Sequence, residues 1–272
     1  GLKAELEEIK EIAVEKTRVS RLKAYQSKLA GLTFLDPACG SGNFLTESYI
    51  SLRLLENDAL RYQTNQITMG DYANPIQVSI HQFYGIEIND FAATVAKTAL
   101  WIAESQMLKE TEDIIAHQID FLPLKSYANI TEGNALRLNW EDVVPKEKLD
   151  YIMGNPPFVG ARLMDASQKS DVNLIFEGWK NVGNLDYVCC WYKKAADLMQ
   201  GTEIRSALVS TNSVSQGESV ANLWKPLFEA GVHIDYAYRT FRWDSEAKIK
   251  AHVHCVIIGF REPLNKSLSF RS

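Results

Sequence analysis

The chain has 272 residues, 46% of them hydrophobic and 23% charged, and a formal net charge of −5. That profile is a soluble globular protein able to bury a core without disulfides or metals. No apolar run approaches the ~20 residues of a membrane span, Gly1 to Lys10 is too charged for a signal peptide, and the lack of a basic excess excludes a surface that grips nucleic acid all round.

Residues 2–29 place Leu2, Leu6, Ile9, Ala13, Val19, Leu22, Tyr25 and Leu29 at helical spacing among charges, which predicts one or two amphipathic helices. Leu32 to Asp36 is a short apolar strand stopped by Pro37 and a glycine-containing turn. Asn43 to Glu56 carries a helical stripe of Phe44, Leu45, Tyr49, Leu52 and Leu55, and 57–80 reads as an inserted loop or irregular helix. A second strand, Gln82–Glu87, leads to a helix over Phe91–Gln106. A third lies near Asn129–Thr131, and a fourth, Leu149–Gly154, runs into Asn-Pro-Pro-Phe. Helix Leu185–Met199, strand Ile204–Ser210 and helix Ser219–Ala230 follow, then two β-rich stretches, His233–Phe241 and His252–Phe260. Strands alternating with helices indicate an α/β, doubly wound, mostly parallel sheet, with the last two stretches forming an antiparallel hairpin at its edge.

The cysteines at 39, 189, 190 and 255 lack zinc-site spacing and read as buried reduced thiols. The five histidines form no metal-ligand pattern. No metal is expected, and a cytoplasmic location follows by default.

Asp36-Pro37-Ala38-Cys39-Gly40-Ser41-Gly42-Asn43-Phe44 sits where the first strand meets its helix, at the end of an open sheet where ligands bind. Gly40 and Gly42, lacking Cβ, let the backbone pass close to a ligand. Leu45 stands where a dinucleotide fingerprint wants a third glycine, and Asp36 repels a diphosphate but welcomes an ammonium or sulfonium, so the turn suits an adenosyl amino acid. Glu87, ending the second strand, can accept hydrogen bonds from both hydroxyls of a ribose. A strand-end glutamate capping the next helix would occupy the same place. Ile86 and Ile88 face opposite sides, and one of them can cover an adenine face. Asn134, after the third strand, can reach an adenine amino group or serve as a turn residue.

Asn155-Pro156-Pro157-Phe158 follows the fourth strand at the same end of the sheet. Two prolines remove two amide donors and leave carbonyls that only accept. Asn155 Oδ1 and the Pro156 carbonyl can each accept one N–H of an exocyclic amine, freeing the nitrogen lone pair to attack an electrophilic methyl. Phe158 offers a π-face to the base. The amine is its own nucleophile, so no nucleophilic side chain is needed.

In that order, Asp36 to Phe44, Gly85-Ile86-Glu87 and Asn155 to Phe158 resemble the class I amino-methyltransferases that act on DNA adenine, in the gamma motif arrangement. They are most similar to the methyltransferase region of bacterial restriction-modification polypeptides. The resemblance covers residues 30–262. It implies a seven-stranded sheet, S-adenosylmethionine as donor, double-stranded DNA as partner, and an adenine flipped out of the duplex. It assigns Asp36, Pro37, Ala38, Gly40, Gly42, Asn43 and Phe44 to the methionine-binding turn, with Glu87, Ile88 and Asn134 at the nucleoside and Asn155, Pro156, Pro157 and Phe158 at the reacting base. Many relatives have Asp where Asn134 stands. Phe241 or Trp243 is expected to pack on the flipped base, and Arg162, Lys169, Lys180 and Arg242 to meet phosphates. The expected division is a helical lead-in over 1–30, a catalytic domain over 31–262 and a tail over 263–272 leading toward a target-recognition region, in a longer polypeptide of a kind that can include a nuclease. A protein glutamine-N5 methyltransferase also suits an Asn-Pro-Pro-aromatic turn, and a non-catalytic module of the same fold is the other alternative.

Overall fold

The structure, a computed structural model, describes residues 1–63, 75–115, 128–243 and 253–263. In chain order the elements are α1 (Leu2–Lys10), α2 (Glu15–Gly31), β1 (Phe34–Asp36), α3 (Asn43–Arg61), β2 (Phe83–Glu87), α4 (Asp90–Ile115), β3 (Asn129–Glu132), β4 (Tyr151–Gly154), α5 (Ala166–Ile175), α6 (Cys189–Leu198), β5 (Arg205–Thr211), α7 (Lys225–Glu229), β6 (His233–Trp243) and β7 (Val253–Arg261).

The strands form one seven-stranded sheet in the order β3-β2-β1-β4-β5-β7-β6. Pairs among β1 to β5 are parallel, and β7 runs antiparallel to both β5 and β6. The hairpin predicted at the edge is therefore there, with its second strand inserted next to β5. A parallel sheet needs both faces covered, and alternate residues divide accordingly. Phe34, Phe83 and Ile130 face a layer built from α1 to α4. Leu35, Ile86 and Ile152 face a second layer that includes Val172, Tyr192 and Leu227. Across the centre, Phe34 stacks on Phe83 (centroids 5.0 Å) and on Tyr151 (5.2 Å), which fixes β1 between β2 and β4.

Two elements differ from the sequence reading. The helix expected over Ser219–Ala230 is a π-helical turn, Val220–Trp224, followed by α7. Pro226 has no N–H for the carbonyl of Asn222 and its ring crowds that carbonyl, so the helical register shifts just before it. The helix expected from Leu185 starts only at Cys189, leaving Leu185 to Val188 irregular. A further helix, α5, was not expected at all. The helix predicted to end near Glu56 runs on to Arg61, and part of the 57–80 segment lies outside the described residues.

All four cysteines are buried free thiols. Among the described residues no group of His, Cys, Asp or Glu could hold a metal, and no helix is long and apolar enough to cross a membrane. His252, Glu246, Ala247 and the tail beyond Pro263 lie outside the described residues, as do the side chains of Phe241, Arg242 and Trp243, whose backbones pair with Cys255, His254 and Val253.

Candidate active site at the sheet switch point

Strand order reverses between β1 and β4, and in open α/β sheets that is where the crevice beyond the carboxyl ends opens. The two motifs singled out in the sequence end these two strands. Asp36 closes β1 and accepts a hydrogen bond at Oδ1 from the Ala38 N–H (3.0 Å). Its Oδ2 is buried without a partner. Burial, opposed by the Ala38 N–H and reinforced by the charge of Glu87, pushes the Asp36 carboxyl up to about 7. The turn then closes through Gly42 N–H to the Cys39 carbonyl (2.8 Å), and Gly42 starts α3 at φ 85°. A Cβ there would need both the left-handed region and a 3.0 Å approach to Ala96 of α4, so the turn requires glycine. Asn43 and Phe44 open α3 itself.

Glu87, at the end of β2, accepts from the Gly40 N–H at Oε2 (2.9 Å) and from the Asn89 N–H at Oε1 (2.9 Å). It therefore ties the Asp36–Gly42 turn to the start of α4, where Asn89 rather than Glu87 caps the helix by accepting from the Ala92 N–H (2.9 Å), and each Glu87 oxygen keeps a further lone pair. Ile88 follows, 67% exposed, its side chain free to cover a ring. Pro37 offers its carbonyl to Trp191 Nε1 (3.0 Å), whose ring meets Tyr187 edge-on.

At the end of β4, Gly154 lies against Asp36: a Cβ on it would sit 2.4 Å from Asp36 Oδ1. The two motifs thus touch through a missing side chain. Asn155 follows, its Oδ1 buried and without a partner. Pro156 is buried, Pro157 exposed, and Phe158 half-buried against the core. The loop is pinned just beyond Phe158. Val159 N–H donates to Asp186 Oδ1 (3.1 Å), Tyr187 N–H donates to the Val159 carbonyl (3.0 Å), and Asp186 Oδ1 also accepts from the Val188 N–H (3.2 Å).

Between the two motifs is a cleft of about 460 Å³, lined among others by Ala38, Glu87, Asn134, Asn155 and Asp171. It brings together the expected nucleoside residues and part of the loop expected to be catalytic, Asn155 and Pro157. Of the expected phosphate contacts, Arg162, Lys169 and Lys180 are exposed. A larger groove, about 960 Å³, lies at the opposite end of the sheet near Asp150 and Arg205, away from both motifs.

The sequence reading missed α5, whose N-cap Asp165 and residues Ser167, Gln168 and Asp171 wall the cleft, together with Tyr187 and Trp191. One signal was available: Asp165 and Gln168 form a capping box in which each side chain accepts from the other's backbone N–H.

The chain matches the model of a protein family described as MmeI, DNA-methyltransferase domain, over residues 10–271. It is 40% identical over 264 residues to DNA methyltransferase A of Bacillus subtilis (strain 168), an overlap of 93% of this chain and 30% of that protein. The structure of the type IIL restriction-modification enzyme MmeI in complex with DNA superposes with a TM-score of 0.88 at 44% identity, over 95% of this chain and 34% of that one. The type ISP restriction-modification enzyme LlaBIII bound to DNA shares the fold, with a TM-score of 0.54 at 12% identity over 86% of this chain and 17% of that one. The chain therefore spans about a third of the length of the first two relatives.

Proposed function

Because the chain belongs to the MmeI DNA-methyltransferase domain family, we propose that it transfers a methyl group from S-adenosylmethionine to the exocyclic N6 of an adenine flipped out of duplex DNA. The observation that carries this reading is that the two motifs, which meet where Gly154 lies against Asp36, each hold a buried acceptor without a partner, Asn155 Oδ1 and Asp36 Oδ2. Buried acceptors are seldom left unmade, because each forfeits about 1–3 kcal/mol. An N–H donor and a cation would complete them.

The residues fit the donor. When bound, S-adenosylmethionine supplies an electrophilic methyl on a sulfonium. Asp36 Oδ2 pairs with its ammonium, the free lone pairs of Glu87 accept its ribose hydroxyls, and Ile88 and Asn134 cover and contact its base. On the acceptor side, Asn155 Oδ1 and the Pro156 carbonyl take the two N–H groups of the target amine, while Phe158 stacks on the ring. Holding the amine in line contributes by positioning, whose ceiling is about 7–11 kcal/mol, and no side chain becomes covalently attached. Asn at the head of the motif and Phe at its end favour adenine over cytosine N4 and over a glutamine side chain.

The test is a labelled-methyl assay on DNA of mixed sequence, in the presence of a protein extract, with nucleoside analysis of the product. N6-methyladenine that disappears in Asn155→Ala is the expected result. Label in cytosine or in protein would overturn the reading.

A further inference from the structure

Asn134 does not stand alone in the cleft. Its Oδ1 accepts from the Leu136 N–H (2.9 Å), and its Nδ2 donates to Asp171 Oδ2 (3.1 Å). Asp171 is 2% exposed and also accepts from the Tyr187 hydroxyl (2.7 Å) and from Arg137 Nε (2.8 Å). It reaches the cleft from α5, on the far side of the catalytic loop in sequence. We propose that Asp171 is the positioning residue that makes the cofactor cleft selective for an adenine edge, by fixing which way the Asn134 amide points; this rests on the donor reading above.

The two ends of an amide differ only in hydrogen-bonding sense, so its neighbours decide its orientation. Leu136 N–H can only donate, and it takes Oδ1. Asp171 is an anion: burial pushes its carboxyl up, but hydrogen bonds from Arg137, Tyr187 and Asn134 outweigh burial and hold it below the ordinary carboxylate range. It can only accept, and it takes Nδ2. One lone pair on Oδ1 and one N–H on Nδ2 then remain, an acceptor and a donor on the same amide. Adenine presents the complement, an N6 amino group next to the N1 acceptor. Hypoxanthine presents the reverse, an O6 acceptor next to an N1–H. Serving it would require the amide to flip, which sets Nδ2 against the Leu136 N–H and Oδ1 against the Asp171 carboxylate. Arg137, which is half-exposed, and Tyr187 keep the carboxylate charged and in place without touching the amide.

The experiment measures, by calorimetry, the affinities of the chain for S-adenosylhomocysteine and S-inosylhomocysteine. The wild type is expected to prefer the adenosyl compound by on the order of a hundredfold, since two paired contacts become two clashes. In Asp171→Asn the new amide can rotate to donate, so the Asn134 flip is tolerated and the ratio falls by about tenfold. The Asn134→Asp/Asp171→Asn double variant, whose carboxylate at 134 accepts but has no N–H to give adenine N1, does not regain the adenosyl preference. A purely structural role for Asp171 would weaken both compounds alike and leave the ratio unchanged in Asp171→Asn, which overturns the inference. A wild type that binds S-adenosylhomocysteine without preference over the inosyl compound also overturns it. Failure of the wild type to bind either compound would sink the donor reading itself, a separate result.

Discussion

Asp36 shows how one residue couples fold, pH and ligand. Its carboxyl is pushed up to about 7, by burial foremost and with the charge of Glu87 adding to it, and its Oδ2 has no partner. A carboxyl raised by folding binds its proton more tightly in the folded than in the unfolded chain. The unliganded fold accordingly loses stability as pH rises from the ordinary carboxylate range to about 7, and no further above it. An ammonium beside Oδ2 favours the ionised form and reverses that burden. We expect the affinity for S-adenosylhomocysteine to rise between pH 6 and 7 by up to about tenfold, and to level off above 7, with proton uptake by the buffer on binding below 7. Titrations in buffers of different ionisation enthalpy read both effects. In Asp36→Asn the profile should be flat, and a wild-type profile that is equally flat would show that Asp36 is not the ammonium's partner. Asp36 and Asn155 were both legible in the sequence, because each sits in a contiguous motif whose residue types already state the chemistry. Gly154 was not, because the reason for it, the Asp36 carboxylate lying where its Cβ would be, joins residues more than a hundred positions apart.

Between elements, the polar cluster of α3 has the clearest consequence. Arg53 and Glu56 are fully buried and paired one turn apart. Arg53 Nη2 donates to Thr111 Oγ1 on α4 (2.5 Å), and Glu56 Oε1 accepts from the Gln77 N–H (2.7 Å) and the Val78 N–H (3.2 Å). The pair thereby holds α3, α4 and the segment entering β2 together. Removing one member of a buried ion pair leaves a bare charge, so Arg53→Met should cost about 3–5 kcal/mol, read from the urea midpoint at unchanged slope. Arg53→Met/Glu56→Gln, which keeps an acceptor for both amides and removes the charge, should recover a substantial part. A single variant as stable as wild type would show that the pair contributes nothing net. This bridge was invisible in the sequence, where 57–80 carries no period. The same holds for α5: Val172, Leu174 and Ile175 are too few and too close to mark a face, and only the Asp165–Gln168 cap announces the helix. Strands and helices with a full apolar stripe, such as Leu45-Tyr49-Leu52, were placed within a few residues. The elements that escaped are those held by polar contacts to distant partners, and one of them, α5, walls the cleft.

At the scale of the whole molecule, the net charge of −5 limits what the chain can do with DNA unaided. Affinity for a duplex comes largely from phosphate neutralisation, and the salt dependence counts the contacts, at about −0.9 in log–log slope for each. In the chain from the Asn155–Phe158 loop through α5 and just beyond it, Arg162, Lys169 and Lys180 are exposed cations. If these three carry the contact, the 272-residue chain should bind a labelled duplex with a slope of about −3, regardless of sequence. Arg162→Gln/Lys169→Gln/Lys180→Gln should flatten that slope nearly to zero while leaving S-adenosylhomocysteine affinity unchanged. Fluorescence anisotropy between about 50 and 200 mM salt, the range over which phosphate contacts dominate the change, makes the measurement. A slope twice as steep, or one that survives the triple variant, would place the phosphate contacts on other residues. Strong preference for one duplex would mean that sequence is read within this chain, by groups reaching base edges, rather than by contacts to the backbone alone. The proposed cleft chemistry contains no such reader: in it Asn155, Pro156 and Phe158 would meet only the extruded base, and every adenine would offer them the same amine.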